Sequence, residues 1–353
     1  MRRIHIDAIQ GNEILAKTIY TNLDTVLMPE GMRLRKEYIS RLQSLNIEYI
    51  YVEDEISKGV ETAEITEMQI KDECKEVLND TWERISCNSA KNLAEIKEIA
   101  DHIIEDMLER PEIIFCVSGV RNKSEMLYSH SLNVCAMSVF LAIRMKLSKK
   151  KIQEIAEGSI LHDIGFMKIP DTIREKSESE MNIAETREIF LHTAYGYDYV
   201  EKERWVTKGA KEIVLYHHEH LDGTGYPFQR TADKLSKGCR IVNICDTFDR
   251  MVYGIYTKRY KVHEVIEYIV AEAGRAFDRD IAAVFNQSVA AYPNGTLVRT
   301  NKGEIGIVLR QNENFPTRPV IRMIKDKEGK DYKEWKEKNL VKELTLFIQD
   351  TIE

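Results

Sequence analysis

The spacing of apolar side chains changes character several times along the chain, and each change marks a different kind of element. In residues 1–55 short β-like runs (Glu13–Ile19 and Asn46–Val52) flank a helical stretch near Leu34–Leu45, with Pro29-Glu30-Gly31 as a turn. This predicts a small N-terminal α+β module. From 56 to 110 charged residues dominate, and apolar ones recur at helical spacing: Cys74, Val77, Leu78 and Trp82, then Leu93, Ile96, Ile99, Ile103 and Met107. Two connecting helices, of a kind that can pair across a homodimer, account for it. Between 111 and 290 one helix follows another, and Gly and Pro concentrate where most of the histidines lie. The expectation is a helical bundle that holds a site. After Tyr292-Pro293-Asn294-Gly295 come alternating, β-branched runs at Thr296–Arg299, Glu304–Leu309 and Pro319–Ile324. They predict a small β-rich module over 291–353, in which Lys325–Lys338 is taken as a solvated turn and face. The chain as a whole is expected to be mainly α.

Composition narrows the class. At 353 residues and 43% hydrophobic content the chain can bury a sizeable core. Its longest aliphatic run, Ile113–Val117, is too short to span a bilayer, and no signal-peptide-like stretch follows Met1. A cytoplasmic protein without membrane insertion is expected. The six cysteines (Cys74, Cys87, Cys116, Cys135, Cys239, Cys245) include no CxxC pair, which favours reduced thiols over a zinc knuckle. A net charge of −7 opposes a nucleic-acid polymer as partner. An anionic small ligand would need metal ions or a local cationic patch.

The chemistry gathers in the helical region. His162-Asp163 ends an apolar helix (Ile152, Ile155, Ile160, Leu161) and is followed by Ile164-Gly165. Imidazole offers a neutral nitrogen ligand, and a carboxylate with two oxygens can bridge two cations, so Asp163 is the natural bridge. Taken alone, such a pair more often does no more than hydrogen-bond in a core. Here His130 shares a helix face with Val134 and Met137, His192 follows Ile189-Phe190-Leu191, His217-His218 follow Ile213, Val214 and Leu215, and Asp246 interrupts the core-like stretch Arg240–Asp249. Burying so many ionisable groups is costly unless they are paired or bound to metal.

Over about residues 120–288 the order and contexts of these residues resemble the HD-GYP family, a branch of the HD phosphohydrolases. The resemblance rests on His130-Ser-Leu-Asn-Val, Leu161-His-Asp-Ile-Gly165, His192 with Gly196, the long string His217-His-Glu-His-Leu-Asp-Gly-Thr-Gly-Tyr-Pro227, and Arg240-Ile with Asp246-Thr-Phe-Asp249. It implies an HD-type helical bundle in which His130, His162, Asp163, His192, His217, His218 and Asp246 ligate two divalent metal ions. The mixed nitrogen and oxygen set suits iron or manganese. Our allocation has Asp163 bridging, with His130, His162 and Asp246 on one ion and His192, His217 and His218 on the other. The implied reaction is hydrolysis of cyclic di-GMP by a hydroxide bridging the ions, giving linear pGpG, with GMP after a second cut. Asp163 and His162 are then the catalytic pair. Asp249 and the loop residues Gly225, Tyr226 and Pro227 are expected at the substrate, and family likeness also makes this loop a docking point for signalling proteins. The flanking modules are expected to serve regulation, packing or dimer formation.

Three departures qualify the resemblance. Relatives carry lysine after the HD-x-G element, where this chain has Phe166; Lys168 is the nearest substitute, although a surface position is the plainer reading. After Asp249 the usual small residue, Leu-Thr-Ser and Arg-Pro-Tyr give way to Arg250-Met-Val-Tyr-Gly-Ile-Tyr-Thr-Lys-Arg-Tyr260. An insertion there would move the phosphate-binding arginine to Arg259, with Lys258 or Lys261 assisting; the alternative is a solvated basic turn. Met126 stands where some relatives place a glutamate for a third metal, and Glu125 beside it projects elsewhere. Two metals are therefore expected. The missing lysine keeps open a second class, a cyclic di-GMP receptor or adaptor with weak turnover.

Overall fold

The computed structural model describes residues 1–20, 26–44, 47, 49–60, 77–78, 94–109, 126–176, 178–312 and 315–352. The expected helix through Cys74 and Trp82, and the position of Glu125, lie outside the described residues. In chain order the elements are β1 (Arg2–His5), β2 (Ile14–Leu15), β3 (Ile19–Tyr20), β4 (Val26–Met28), α1 (Ile39–Ser44) and β5 (Tyr49–Glu53). The helices α2 (Ala94–Glu109), α3 (Met126–Arg144), α4 (Lys149–Leu161), α5 (Asp171–Arg174), α6 (Ile183–Phe190) and α7 (His192–Val200) follow. Then come α8 (Lys208–Tyr216), α9 (Lys237–Tyr253), α10 (Val262–Ala271) and α11 (Arg279–Asn286), and the strands β6 (Leu297–Thr300), β7 (Ile305–Arg310), β8 (Val320–Lys325), β9 (Asp331–Asn339) and β10 (Ile348–Ile352).

These elements form two compact units. One holds the described residues of Met1–Glu67 and Gln287–Glu353, the other those of Met68–Ile113 and Glu125–Asn286. In the first, β1, β5 and β2 form an antiparallel sheet in the order β1-β5-β2, and β3 pairs with β4. Leu15, Leu34, Leu42 and Val52 are fully buried beneath it, which is the small α+β arrangement that the N-terminal pattern predicts. The same unit contains a five-stranded antiparallel sheet, β10-β6-β7-β8-β9. Val60 packs against Ile307, Leu309 and Ile324 of that sheet.

The charged stretch Lys325–Lys338 departs from expectation. It is a turn followed by the edge strand β9, paired antiparallel with β8 and largely solvated. An edge strand with one neighbour needs little apolar surface, and its Lys and Glu residues discourage further pairing. Its polar sequence therefore concealed the strand.

The second unit is helical. α3 packs on α4 and α9, and α4 on α2 and α8. Phe140, Phe248 and Phe285 are fully buried in it, each contributing about 1.5–3 kcal/mol through removal from water. The closeness of α4 and α8 requires Gly158, where a Cβ would lie 2.7 Å from the Cβ of Ile213. Helix ends follow local rules. The Ser236 hydroxyl accepts from the Cys239 N–H to start α9, and Gly254, with φ of 71°, ends it. Asn182 and Glu185 form a capping box on α6. Among the described residues no helix is long and apolar enough to cross a membrane.

Candidate metal centre

Five elements deliver the ligand candidates to one place. His130 lies in α3, His162-Asp163 follow α4, His192 opens α7, His217-His218 follow α8, and Asp246 lies in α9. All seven are buried. They fall into two clusters, one of Asp163, His192, His217 and His218, the other of His130, His162 and Asp246; within each, the potential ligand atoms lie within 4.8 Å of one another. Asp163 stands between the clusters. Its Oδ1 is 3.4 Å from His192 Nε2 and 3.7 Å from His217 Nε2, while its Oδ2 is 3.4 Å from the Nε2 atoms of both His130 and His162. Asp246 places Oδ1 3.1 Å from His130 Nε2 and Oδ2 3.4 Å from His218 Nδ1.

Backbone carbonyls fix the imidazoles. His162 Nδ1 donates to the Ser159 carbonyl at 2.7 Å, His192 Nδ1 to Ile189 at 2.7 Å, and His217 Nδ1 to Val214 at 3.0 Å. His130 Nδ1 donates to Asp249 Oδ2 at 2.7 Å. Each of these rings is thus protonated on Nδ1, with its Nε2 facing inward. Those nitrogens meet: His130 and His162 Nε2 are 3.2 Å apart, and His192 and His217 Nε2 3.3 Å. Between His192 and His217, both kept neutral by burial, no proton lies, whereas His130, raised to about 9, carries one on Nε2 that a metal ion would displace. Asp163 Oδ1 and Asp246 Oδ2 also lack a hydrogen-bond partner although buried. The facing Nε2 atoms of His192 and His217 and the unpartnered Oδ1 of Asp163 between them are costly unless a cation occupies that space, so this donor set fits divalent metal ions.

Protonation follows the same pattern. Burial, only partly offset by Asp163, takes His192 down to about 3, and burial likewise lowers His217 and His218. Burial opposes charge on Asp163 too, but the surrounding imidazoles hold its carboxyl below the usual carboxylate range. Asp246 is also held low: burial disfavours its charge, and Arg250 and His218 outweigh that. At His130 burial is overcome by the bonds to Asp246 and Asp249, which raise it to about 9.

The residues expected at the substrate separate. Gly225 is packed under the double histidine, where a Cβ would lie 2.4 Å from the His218 carbonyl oxygen and the His220 nitrogen. Tyr226 stacks on His218 with centroids 4.6 Å apart, and its peptide to Pro227 is cis. Glu219 secures the loop by accepting from the Phe228 and Arg230 N–H groups at 2.7 and 2.8 Å. Asn243 donates to the His217 carbonyl at 2.7 Å and holds that turn on α9. Asp249, expected beside substrate, is instead fully buried behind His130, because α9 points it toward α3. Lys168 is exposed, with Nζ over the Tyr195 ring, and Arg259 is exposed and donates to the Val252 carbonyl. Sequence reasoning missed Arg250, whose Nε lies 3.1 Å from Asp246 Oδ2. The i, i+4 spacing of Asp246 and Arg250 on one helix was the available signal.

Comparison with known proteins agrees with this architecture. Residues 117–281 match the HD domain family, and residues 297–353 match a KOW domain associated with HD domain. The chain is 30% identical over 235 residues to the cyclic di-GMP phosphodiesterase PA4108 of Pseudomonas aeruginosa, covering 66% of this chain and 56% of that protein. It is 27% identical over 200 residues to the cyclic di-GMP phosphodiesterase PdeB of Borreliella burgdorferi, covering 55% and 51% respectively. The chain thus spans about half the length of the curated relatives it matches. Among solved structures, Bd1817, a HDG"Y"P protein from Bdellovibrio bacteriovorus, is similar with a TM-score of 0.51 at 15% identity, covering 80% of this chain and 97% of that one. That likeness concerns the fold.

Proposed function

We propose that the chain, whose residues 117–281 match the HD domain family, is a metal-dependent phosphodiesterase of the HD-GYP type that opens cyclic di-GMP to linear pGpG. The observation that carries this reading is Asp163, whose two oxygens each face a separate pair of inward-turned imidazole nitrogens.

In this reading the helical domain spans 111–290, with 56–110 connecting it to the module at 1–55 and with a β-rich module at 291–353. His130, His162 and Asp246 would hold one ion and His192, His217 and His218 the other, with Asp163 able to serve both; iron and manganese suit the mixed donor set. Bound divalent ions supply Lewis acidity and bring a water molecule toward ionisation at neutral pH. The chain's own part is positional. Backbone carbonyls lock His162, His192 and His217 in one tautomer, and Asp249 does the same for His130. Gly225 lets the 223–227 loop lie close against the double histidine, placing Tyr226 beside the site. Phe228 beyond it is 61% exposed and offers an apolar contact for a signalling partner. pGpG as first product, with GMP after a second cut, follows from in-line attack on one phosphodiester at a time.

Anaerobically purified protein, loaded with manganese or ferrous iron and incubated with cyclic di-GMP, is expected to release pGpG. Phe166 in place of the usual lysine favours a second reading, a receptor with weak turnover. Tight binding without product would establish the receptor, and neither binding nor product would refute both.

A further inference from the structure

We propose that Arg250 is the substrate-phosphate-binding cation of this site, taking the part that Phe166 and the exposed Lys168 do not fill. The inference rests on the phosphodiesterase reading and deepens it.

Arg250 lies one helical turn beyond Asp246 on α9, which puts both side chains on one face of that helix. Its Nε approaches Asp246 Oδ2 at 3.1 Å, on the oxygen that also faces His218. Among the described residues it is the one lysine or arginine in ionic contact with a ligand candidate. Its charge also acts on His218, His220 and Tyr226, so it lies within electrostatic reach of the cage and of the loop that follows the double histidine.

The form of the contact separates two roles. An arginine serving only to anchor Asp246 would use its planar fork, with two parallel N–H donors on the two carboxylate oxygens. Here only Nε approaches, and its alignment is too poor to count as a hydrogen bond, so it stays buried without a partner. The two terminal nitrogens have no partner among the described residues, and the side chain is 27% exposed. A guanidinium held at its inner nitrogen, with its outer edge unengaged, presents donors in the geometry that two non-bridging phosphate oxygens accept.

Metal ions in the cage would offset the charges of Asp163 and Asp246, and what Arg250 adds is a directional pair of donors for the non-bridging oxygens of a phosphodiester. Phe166 is stacked on His192 and supplies no charge. Lys168 is engaged with Tyr195 and Arg259 with the Val252 carbonyl.

The test uses the metal-loaded full chain and the variants Arg250→Ala and Arg250→Lys. Metal per chain, Kd for cyclic di-GMP and for inorganic phosphate, and kcat/KM are measured for each. Arg250→Ala is expected to keep its metals, to weaken both Kd values at least tenfold and to lower kcat/KM at least thirtyfold, with part of the loss restored by millimolar guanidinium. Arg250→Lys is expected to fall between, since it keeps the charge and loses the fork. Loss of metal in Arg250→Ala without guanidinium rescue would overturn the proposal by making Arg250 an anchor for Asp246. Unchanged Kd and kcat/KM would overturn it outright. If the wild type binds without turnover, the Kd comparison decides alone. A wild type that holds metal but neither binds nor cleaves cyclic di-GMP would sink the phosphodiesterase reading, with phosphate affinity still reporting on Arg250.

Discussion

Phe166 lies flat on the imidazole of His192, ring centroids 4.3 Å apart and planes within 7°. Tyr256 stacks on Phe166 in turn at 5.1 Å, and Ile169 and Ile189 complete the apolar cluster around it. The aromatic ring thus covers a ligand candidate with apolar surface at the position where the family resemblance leads one to expect a lysine.

Restoring the lysine should therefore not help. Phe166→Lys would strand an ammonium among apolar groups and remove the stack, at a cost of about 3–5 kcal/mol by analogy with large-to-small core changes. The variant is expected to melt earlier and to show kcat/KM no higher than the wild type. A clear rise in kcat/KM would locate the missing cation at 166 instead.

Asp249 acts through His130. Asp249→Asn removes the charge that fixes the His130 Nδ1–H, so metal affinity should drop roughly 10- to 100-fold while the fold persists. Chelator competition on the purified variant measures this directly. Unaltered affinity would return Asp249 to the substrate side.

Gly165 is where the chain after the His-Asp pair meets α7. A Cβ there would fall 1.9 Å from the His192 carbonyl oxygen and 2.5 Å from the Gly196 nitrogen, both backbone atoms. Gly165→Ala should cost about 3 kcal/mol, a fall in Tm of roughly 6–12 °C, and should loosen metal held through His192. Calorimetry showing an unchanged Tm would contradict the close approach.

The metal-stripped protein should be most stable near neutral pH. His192 is held down to about 3 by burial, so as pH falls below about 6.5 the unfolded chain takes up the proton first. Stability then declines by up to about 1.4 kcal/mol per pH unit. His130 has the opposite sign: raised to about 9, it contributes fully below about 6.5, and that contribution is lost as pH rises through 9. Thermal scans between pH 5 and 9.5 should show Tm falling on both sides. A Tm that climbs on acidification from 6.5 to 5 would show that the imidazoles are not held neutral.

Much of the architecture was legible in the chain because its signals are local. The helical periodicity of α3, α4 and α8 and the unbroken string from His217 to Pro227 speak directly from sequence. Long-range relations were harder. Nothing near Asp249 reveals that it meets His130, 119 residues earlier. Arg250 carried a readable spacing to Asp246, yet comparison with the family pattern drew attention to Arg259 instead. Strand β9 was hidden because an edge strand facing water needs no apolar alternation. The short strands β1 and β4 were not read from the sequence either.

The central claim is that Asp163 joins two metal positions. Element analysis of anaerobically purified protein loaded with manganese or ferrous iron is expected to find about two ions per chain in the wild type, and neither metal retention nor hydrolysis in Asp163→Asn. An Asp163→Asn protein that keeps two ions and cleaves cyclic di-GMP at the wild-type rate would contradict it.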